Sequence, residues 1–519
     1  MKNFLLTVAI FLLLFCFLKP ANACHAYFGD LSYTCINDST IQLDFEYYYN
    51  CICVVRPDTL IIYAKSDTCG VRDTLTAFKT NMNCVRNIDF TCNDPNIIGS
   101  CQCNGSPMGL PINLPPLPLP HVYPSFEVDH FRATYVLPKN ASGNFICCPD
   151  LTFFTSLSPR VSGSNINNVP GGDGFVVAGS LSTCNLTTPC NNSSPHFFNN
   201  AIMTTCTNQP FIYSGGGSDA PENHWLTYSL VPALGSENIP LAYNPPLSYD
   251  QPLITNPPLS LKMDSLTGNI TGTLSSLQSG TVAYLVTEYD VFGNVVGVVL
   301  KEVIIIVENC DTLENIPVDS LQITSVNNGN RIGEYEYEAQ CGATMTIDFT
   351  IQDPNTTDTL VLTHNLAQSI PGATLVCTGS GNIQNCQLTS VPDTTYSVKY
   401  VTFDLHDDIC PLSTYQSITI RLTNSCTPPV STIKNNETQN FTVYPNPVRN
   451  ILHFDVTQFE RNLNDTDIRI YDLTGKSYNT TMVTDGRSAT IDMKALPTGI
   501  FYIEVSSDNK SYISKVVKM

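Results

Sequence analysis

Positive charge is scarce in this 519-residue chain. Its 25 Lys and Arg face 45 Asp and Glu, for a formal net charge of −20. Nucleic acid is therefore not an expected partner, because phosphate backbones are held by basic surface. A secreted protein that binds cations fits the balance better. Charged residues of either sign reach only 13%, while aromatic and β-branched residues are common and 35 prolines punctuate the chain. That composition points away from helix bundles and toward all-β domains with many turns. Long apolar runs are absent beyond the N-terminus. Val303 to Val307 is of strand length, so no transmembrane span is expected in the mature chain. Catalytic signatures are missing as well. There is no Gly-x-Ser-x-Gly elbow and no His-Glu-x-x-His, and GGGSD and PGGDG lack the Gly-Lys-Ser/Thr ending of a phosphate-cradling loop. His406, beside Asp407 and Asp408, is the one histidine in an acidic cluster, and it reads as a solvated turn residue. Spacing cannot select a carboxylate pair for glycoside hydrolysis. No catalytic residue is assigned.

The chain starts with Lys2, an apolar run from Phe4 to Leu18, and Ala21-Asn22-Ala23. This is the pattern of a secretory signal peptide over residues 1–23, cleaved after Ala23. The alternatives are a membrane anchor, for which the run is short, and a lipoprotein starting at Cys24, for which Ala21 is a poor match. Of 21 cysteines, Cys16 lies in this leader, which leaves an even number. In a secreted protein they read as disulfides. The pairs Cys51/Cys53 and Cys101/Cys103 and the doublet Cys147-Cys148 suggest zinc only weakly, because zinc ligands usually come as CxxC with a second pair.

Residues 24–205 form a cysteine-rich first region. Ile41, Leu43, Phe45, Tyr47 and Tyr49 alternate as in a strand, and Thr59 to Ala64 and Phe131 to Leu137 read as further strands. The proline-rich stretch 107–124 is expected to be an extended surface loop, with a partner-docking role as the alternative. GDLSYTCINDSTIQLDFEYYYNC, FRATYVLPKNASGNFICC and SSPHF (193–197) resemble successive blocks of a family of large secreted proteins of gliding and related Bacteroidota. Pro149-Asp150 departs from that family's Arg-Asn after the Cys-Cys pair. The resemblance implies surface exposure and no particular chemistry.

Residues 206–310 show the strand–turn–strand rhythm of a sandwich with about seven strands. This unit resembles cadherin-like or immunoglobulin-like repeats. Asp264, Thr267 and Gly268 keep one of their patterns, while Asp219 and Glu222 are what remains of another. Residues 311–426 read as a divergent copy, with Cys341 and Cys426 in the places of Cys206 and Cys310. A polar linker is expected over 427–440.

Calcium is the cofactor these acids suggest, since it takes six to eight oxygens from converging carboxylates. In the third region Asp353, Asn355 and Asp358 share a turn, and Asp404, Asp407 and Asp408 lie at a strand end that a sandwich can bring near it. Asp219, Glu222, Glu288 and Asp290 form a thinner set in the second. The plain alternative is that Asp and Asn mark turns. Asp-Ser/Thr-Leu recurs and is similar to the O-glycosylation site of secreted Bacteroidota proteins. Its acceptors here would be Thr59, Thr74, Ser265, Thr312, Ser320 and Thr359.

The last stretch carries the strongest signal. Tyr444-Pro445-Asn446-Pro447 precedes a strand at Leu452, Phe454 and Val456. Asp472-Leu473-Thr474-Gly475-Lys476 makes a glycine turn, and Leu496-Pro497-Thr498-Gly499 leads into Phe501-Tyr502 and a final basic strand. This pattern resembles the type A sorting domain of the type IX secretion system over 441–519. It implies the type IX machinery as a partner, removal of the domain, and release or attachment at the outer-membrane exterior. The expected fold class is all-β, a multidomain chain of β-sandwiches. The expected function is non-catalytic adhesion or binding of a glycan or cell-surface protein. The alternatives are a secreted hydrolase with its site in 24–205, or a structural surface-layer component.

Overall fold

The computed structural model describes residues 26–50, 57–81, 86–89, 125–140, 142–143, 145–157, 165–167, 174–184, 190, 192–219, 222–237, 239–309, 321–356, 359–391, 397–407, 415–426, 439–440, 443–455, 468–472, 477–478, 482–484, 488–497, 499–507 and 510–518. The leader, both CxC pairs and the proline-rich stretch lie outside these residues. The chain divides into two compact units, Met1–Pro428 and Pro429–Met519. Each is described by itself.

The first unit is built of strands. Among the described residues its one helical element is the turn Leu366–Ser369. In the strand Thr40–Asn50 the alternation resolves as expected: Ile41, Leu43 and Phe45 are buried in one core, while Tyr48, one step out of phase, is buried in another. The strand Thr59–Ser66 alternates just as cleanly, with Leu60, Ile62 and Ala64 inward and Ile61 and Tyr63 outward. A 12-stranded sheet runs from Ala26–Asn37 through Thr40–Asn50, Ser125–Val136, Val71–Lys79, Thr59–Ser66, Leu151–Leu157 and Phe175–Leu181. It continues through Val295–Glu308 and Gln278–Tyr289 to an edge at Trp225–Leu230. Its first part curls around a single core. Tyr33, near one end, donates its hydroxyl to Ser180 O at 3.1 Å in a strand six places away.

The sheet does not stop between the first and second expected regions, and the reason is visible in one strand. Val295–Glu308 reads VVGVVLKEVIIIVE, without polar alternation, as does a strand covered on both faces. Val299, Val303, Ile305 and Val307 face the second core, with Leu226, Tyr228 and Tyr284. Ile304 and Ile306 face Phe28, Tyr48, Phe126 and Val128. Ile202–Cys206, at the expected 205/206 boundary, adds to this strand in parallel.

Two sheets form the third sandwich. One holds Gln322–Asn327, Met345–Gln352, Ile383–Ser390 and Thr374–Ser380, and the other includes Glu336–Ala339, Tyr415–Asn424, Val398–Asp407 and Leu360–His364. Its boundary with the second is interlocked. Val398 and Tyr400 sit in the second core, and Ile212 sits in the third. Asn269 is fully buried. Its carboxamide donates to Thr419 O and accepts from Thr419 N–H, both at 2.8 Å, pairing with that strand as a neighbouring strand would. Ile212 N–H donates to Gln416 Oε1 at 2.7 Å and Ser214 N–H to Ser417 Oγ at 2.8 Å. Gly216 has no side chain for a reason: a Cβ there would strike Thr267 O and the Thr419 hydroxyl.

Every described cysteine is disulfide-bonded. The Cys147-Cys148 doublet splits between two bridges, Cys147–Cys184 and Cys69–Cys148. Cys35–Cys190, Cys341–Cys426 and Cys377–Cys386 complete the described pairs. The second unit is a sandwich of five strands on four around Leu452, Phe454, Ile491, Phe501 and Ile503. Gln439–Asn440, at the end of the expected linker, already pairs with the final strand Lys510–Lys518.

Candidate functional sites

The loop between Gly217–Ser218 and the edge strand Trp225–Leu230 carries Asp219, Glu222 and His224. Register then places Glu288 opposite Leu226, with both side chains turned into the sheet's buried face. His224 Nδ1 lies 2.6 Å from Glu288 Oε1 and 3.0 Å from Asp219 Oδ2. A ring nitrogen carries one proton, and the hydrogen bond goes to Glu288, leaving Asp219 Oδ2 in charge contact without a hydrogen bond among the described residues. Asn192 Nδ2 donates to Glu288 Oε2 at 2.9 Å, and Ser193 N–H donates to Glu222 Oε1 at 3.3 Å. Gly297 pairs with Glu288 in the neighbouring strand, and a Cβ there would collide with the Glu288 carboxylate and the Tyr33 hydroxyl.

Burial sets the protonation of this group. It raises the Asp219 carboxyl to about 7; the close contact with His224 offsets this only in part. Burial and the neighbouring Asp219 raise Glu222 to about 7 as well. For His224 burial pulls the other way, but Asp219 and Glu288 outweigh it and lift the imidazole to about 10. Tyr33, fully buried behind them, is held well above its ordinary value by burial and then by Glu288, Asp219 and Glu222.

Among the described residues, Asp219, His224 and Glu288 are the one group of three potential metal-ligating side chains brought together, with ligand atoms within 4.8 Å of one another. Three of the four acids expected in the second region are therefore neighbours here. Asp290 is not: both of its oxygens bind its own hairpin, taking the Phe292 and Asn294 N–H groups and the Asn294 side chain. His224 had no signal in sequence, since a lone histidine 64 residues before Glu288 has no recognisable spacing to it.

In the third region, the described acids Asp353 and Asp404 join no such group among the described residues. Asp353 is fully buried and its Oδ1 accepts the Asn355 N–H at 2.8 Å, an Asx turn. Asp404 lies on the strand Val398–Asp407, and burial raises its carboxyl to about 7. Asp358, Asp408 and the side chain of Asp407 are outside the described residues. His406 sits half-buried within that strand, paired with Val361 rather than in a solvated turn, because the strand runs further than the acidic composition suggested. Thr59, Thr74, Ser265 and Thr359 are all exposed; Thr312 and Ser320 lie outside the described residues.

In the terminal unit, Asn446 shows what its motif does. Flanked by Pro445 and Pro447, it donates Nδ2 to Lys515 O at 2.7 Å and accepts the Val517 N–H at 2.9 Å. Prolines supply no N–H to a ladder, so a carboxamide between them takes the strand's place against the last strand. Tyr444 stacks on His453, with ring centroids 5.8 Å apart. Leu496 closes the core, Gly499 starts the strand opposite Lys518, and Tyr502 lies between Tyr471 and Lys515. Asp472 ends the strand Ile468–Asp472; its side chain, Gly475 and Lys476 are outside the described residues.

Residues 442–519 match the family of the secretion system C-terminal sorting domain. The terminal unit is such a domain: it marks the chain for type IX export, to the cell surface or beyond, and implies contact with that machinery. No curated protein sequence matches the chain. Among solved structures, a titin I-band fragment (I67–I69) is 10% identical, covering 63% of this chain and 98% of its own, at a TM-score of 0.14. The mouse nectin-like molecule 4 ectodomain is 11% identical over 61% and 96%, at 0.15. The zebrafish RET cadherin-like domains are 9% identical over 61% and 70%, at 0.14. At these scores none bears on the function.

Proposed function

We propose that the chain is a non-catalytic adhesion or binding protein of the cell exterior, taking a glycan or a surface protein as ligand. The observation that carries this reading is the outer face of the first sheet. Ile61 and Tyr63, each 41% exposed, and Phe78, 63% exposed, project from the paired strands Thr59–Ser66 and Val71–Lys79. Threonines 74 and 76 surround them, and Phe154 stacks on Tyr63 with centroids 5.2 Å apart. A rigid sheet holding aromatic and aliphatic side chains among hydroxyls suits stacking against sugar rings or a protein face. The first core behind it, filled by Leu60, Ile62, Ala64 and Ala77, fixes the platform, and the sorting domain supplies the route to the exterior.

A screen of the secreted chain against glycans and cell-surface proteins tests this. A ligand should be found, and Tyr63→Ser with Phe78→Ser should weaken it at least tenfold with circular dichroism unchanged. Binding indifferent to both changes, or turnover of a polysaccharide or peptide by the purified chain, refutes the reading.

A further inference from the structure

We propose that Asp219, His224 and Glu288, with Glu222 beside them, form a binding site for a first-row divalent cation, Zn2+ being the ion their donors suit. The inference is independent of the ligand bound by the outer face. One imidazole nitrogen and carboxylate oxygens are the donor set of zinc and its neighbours, whereas calcium takes six to eight oxygens and no nitrogen. The three ligand atoms already converge within 4.8 Å. The closest pair, Nδ1 and Glu288 Oε1 at 2.6 Å, must open to about 3.3 Å, the tetrahedral edge for bonds of about 2.0–2.1 Å.

A second observation points to a cation. Asp219 Oδ2, Glu222 Oε2 and Asn192 Oδ1 are buried with no hydrogen bond among the described residues. Asn192 is fully buried and Asp219 nearly so. Unpartnered oxygens at such sites are costly unless something positive satisfies them. One imidazole serves both: the described ion pairs of Asp219 and Glu288 are each with His224. On binding, the metal takes the Nδ1 lone pair and the imidazolium proton leaves to solvent, so uptake of the ion releases protons.

The placement gives the ion a structural task. Asn223, between two of the contributing residues, accepts the Val398 N–H of the third sandwich at 3.0 Å, and Glu222 accepts the Ser193 N–H of the first region at 3.3 Å. An ion in this loop would staple all three parts of the first unit.

The test uses the full chain, stripped with chelator, with any free thiols alkylated, and titrated by calorimetry with Zn2+, Mn2+ and Ca2+ in turn. One equivalent of Zn2+ should bind with proton release and raise the melting temperature by several degrees, with Ca2+ weaker. His224→Gln and Asp219→Asn should each weaken that equivalent about 100-fold or more. Because a variant can fail to fold, Co2+ is added to the unaltered chain as well; a four-coordinate nitrogen–oxygen absorption spectrum without thiolate bands is expected. No stoichiometric Zn2+ uptake, uptake undiminished in both folded variants, tighter Ca2+ than Zn2+, or a thiolate-type Co2+ spectrum overturns the proposal.

Discussion

Replacing Asn269 by Ala should uncouple the second and third sandwiches. The carboxamide is buried and makes both hydrogen bonds to Thr419, N–H and C=O, at 2.8 Å. Thr402, opposite Thr419 in the adjacent strand, spends its own N–H and C=O on Asn365, so the two form a non-hydrogen-bonded pair and the Thr419 backbone groups are left to Asn269. Truncation leaves one buried donor and one buried acceptor unpaired, at about 1–3 kcal/mol each. A loss of about 3 kcal/mol is the central expectation, or roughly a hundredfold in an opening equilibrium. Because several cores are packed together, a single unfolding free energy is not assured, and the sharper assay is native-state hydrogen exchange at Thr419 and its neighbours in Tyr415–Asn424. Protection there should fall about a hundredfold, while Ile41–Phe45 in the first core keeps its own. Asn269→Asp adds a control: it faces Thr419 O with a carboxylate at neutral pH and should be at least as damaging, with partial recovery on acidification as the protonated acid donates again. A change under about 0.5 kcal/mol for Asn269→Ala, or unaltered Thr419 exchange, would refute the claim that a side chain substitutes for a strand at this boundary.

Three other outcomes follow from named contacts. Glu222 is raised to about 7 from an ordinary 4.5, so the metal-free folded chain binds more protons than the unfolded one between those values, and stability falls as pH rises through that window. Glu222→Gln should flatten the slope, gaining about 1 kcal/mol at pH 8 after discounting for its partial exposure and nothing at pH 4, as read by thermal melts in chelator. Serine at Cys341 and Cys426 removes a bridge across 85 residues and should cost about 4 kcal/mol in the chain-entropy view, measured by urea unfolding; a cost below about 1 kcal/mol contradicts it. Deleting 441–519 should leave the chain in the periplasm, and Asn446→Ala should reduce delivery by loosening the last strand, both visible by cell fractionation; normal surface delivery of the deletion would exclude the sorting role.

The local elements were legible because they depend on period and punctuation. Ile41, Leu43 and Phe45 announced a one-sided strand, and the Tyr-Pro-Asn-Pro motif announced the terminal domain. What escaped were relations between strands far apart in sequence. VVGVVLKEVIIIVE could be read as a strand, but nothing local said that its second face is covered by Phe28 and Phe126. The acids around 219–222 and 288–290 were visible as turn residues, and only pairing of Trp225 with Tyr289 separated Glu288 from Asp290.

By itself the sequence determined the all-β class, the paired cysteines and the export address, because side-chain period, composition and short motifs are properties of neighbours along the chain. Tertiary structure alone decided that the sheet runs unbroken from the first region into the second, that Asn269 stands in for a strand, and that His224 meets Asp219 and Glu288. The physical reason is common to all three. Each rests on burial: a strand covered on both faces, an amide with no water to bond, and charges held where solvent cannot screen them.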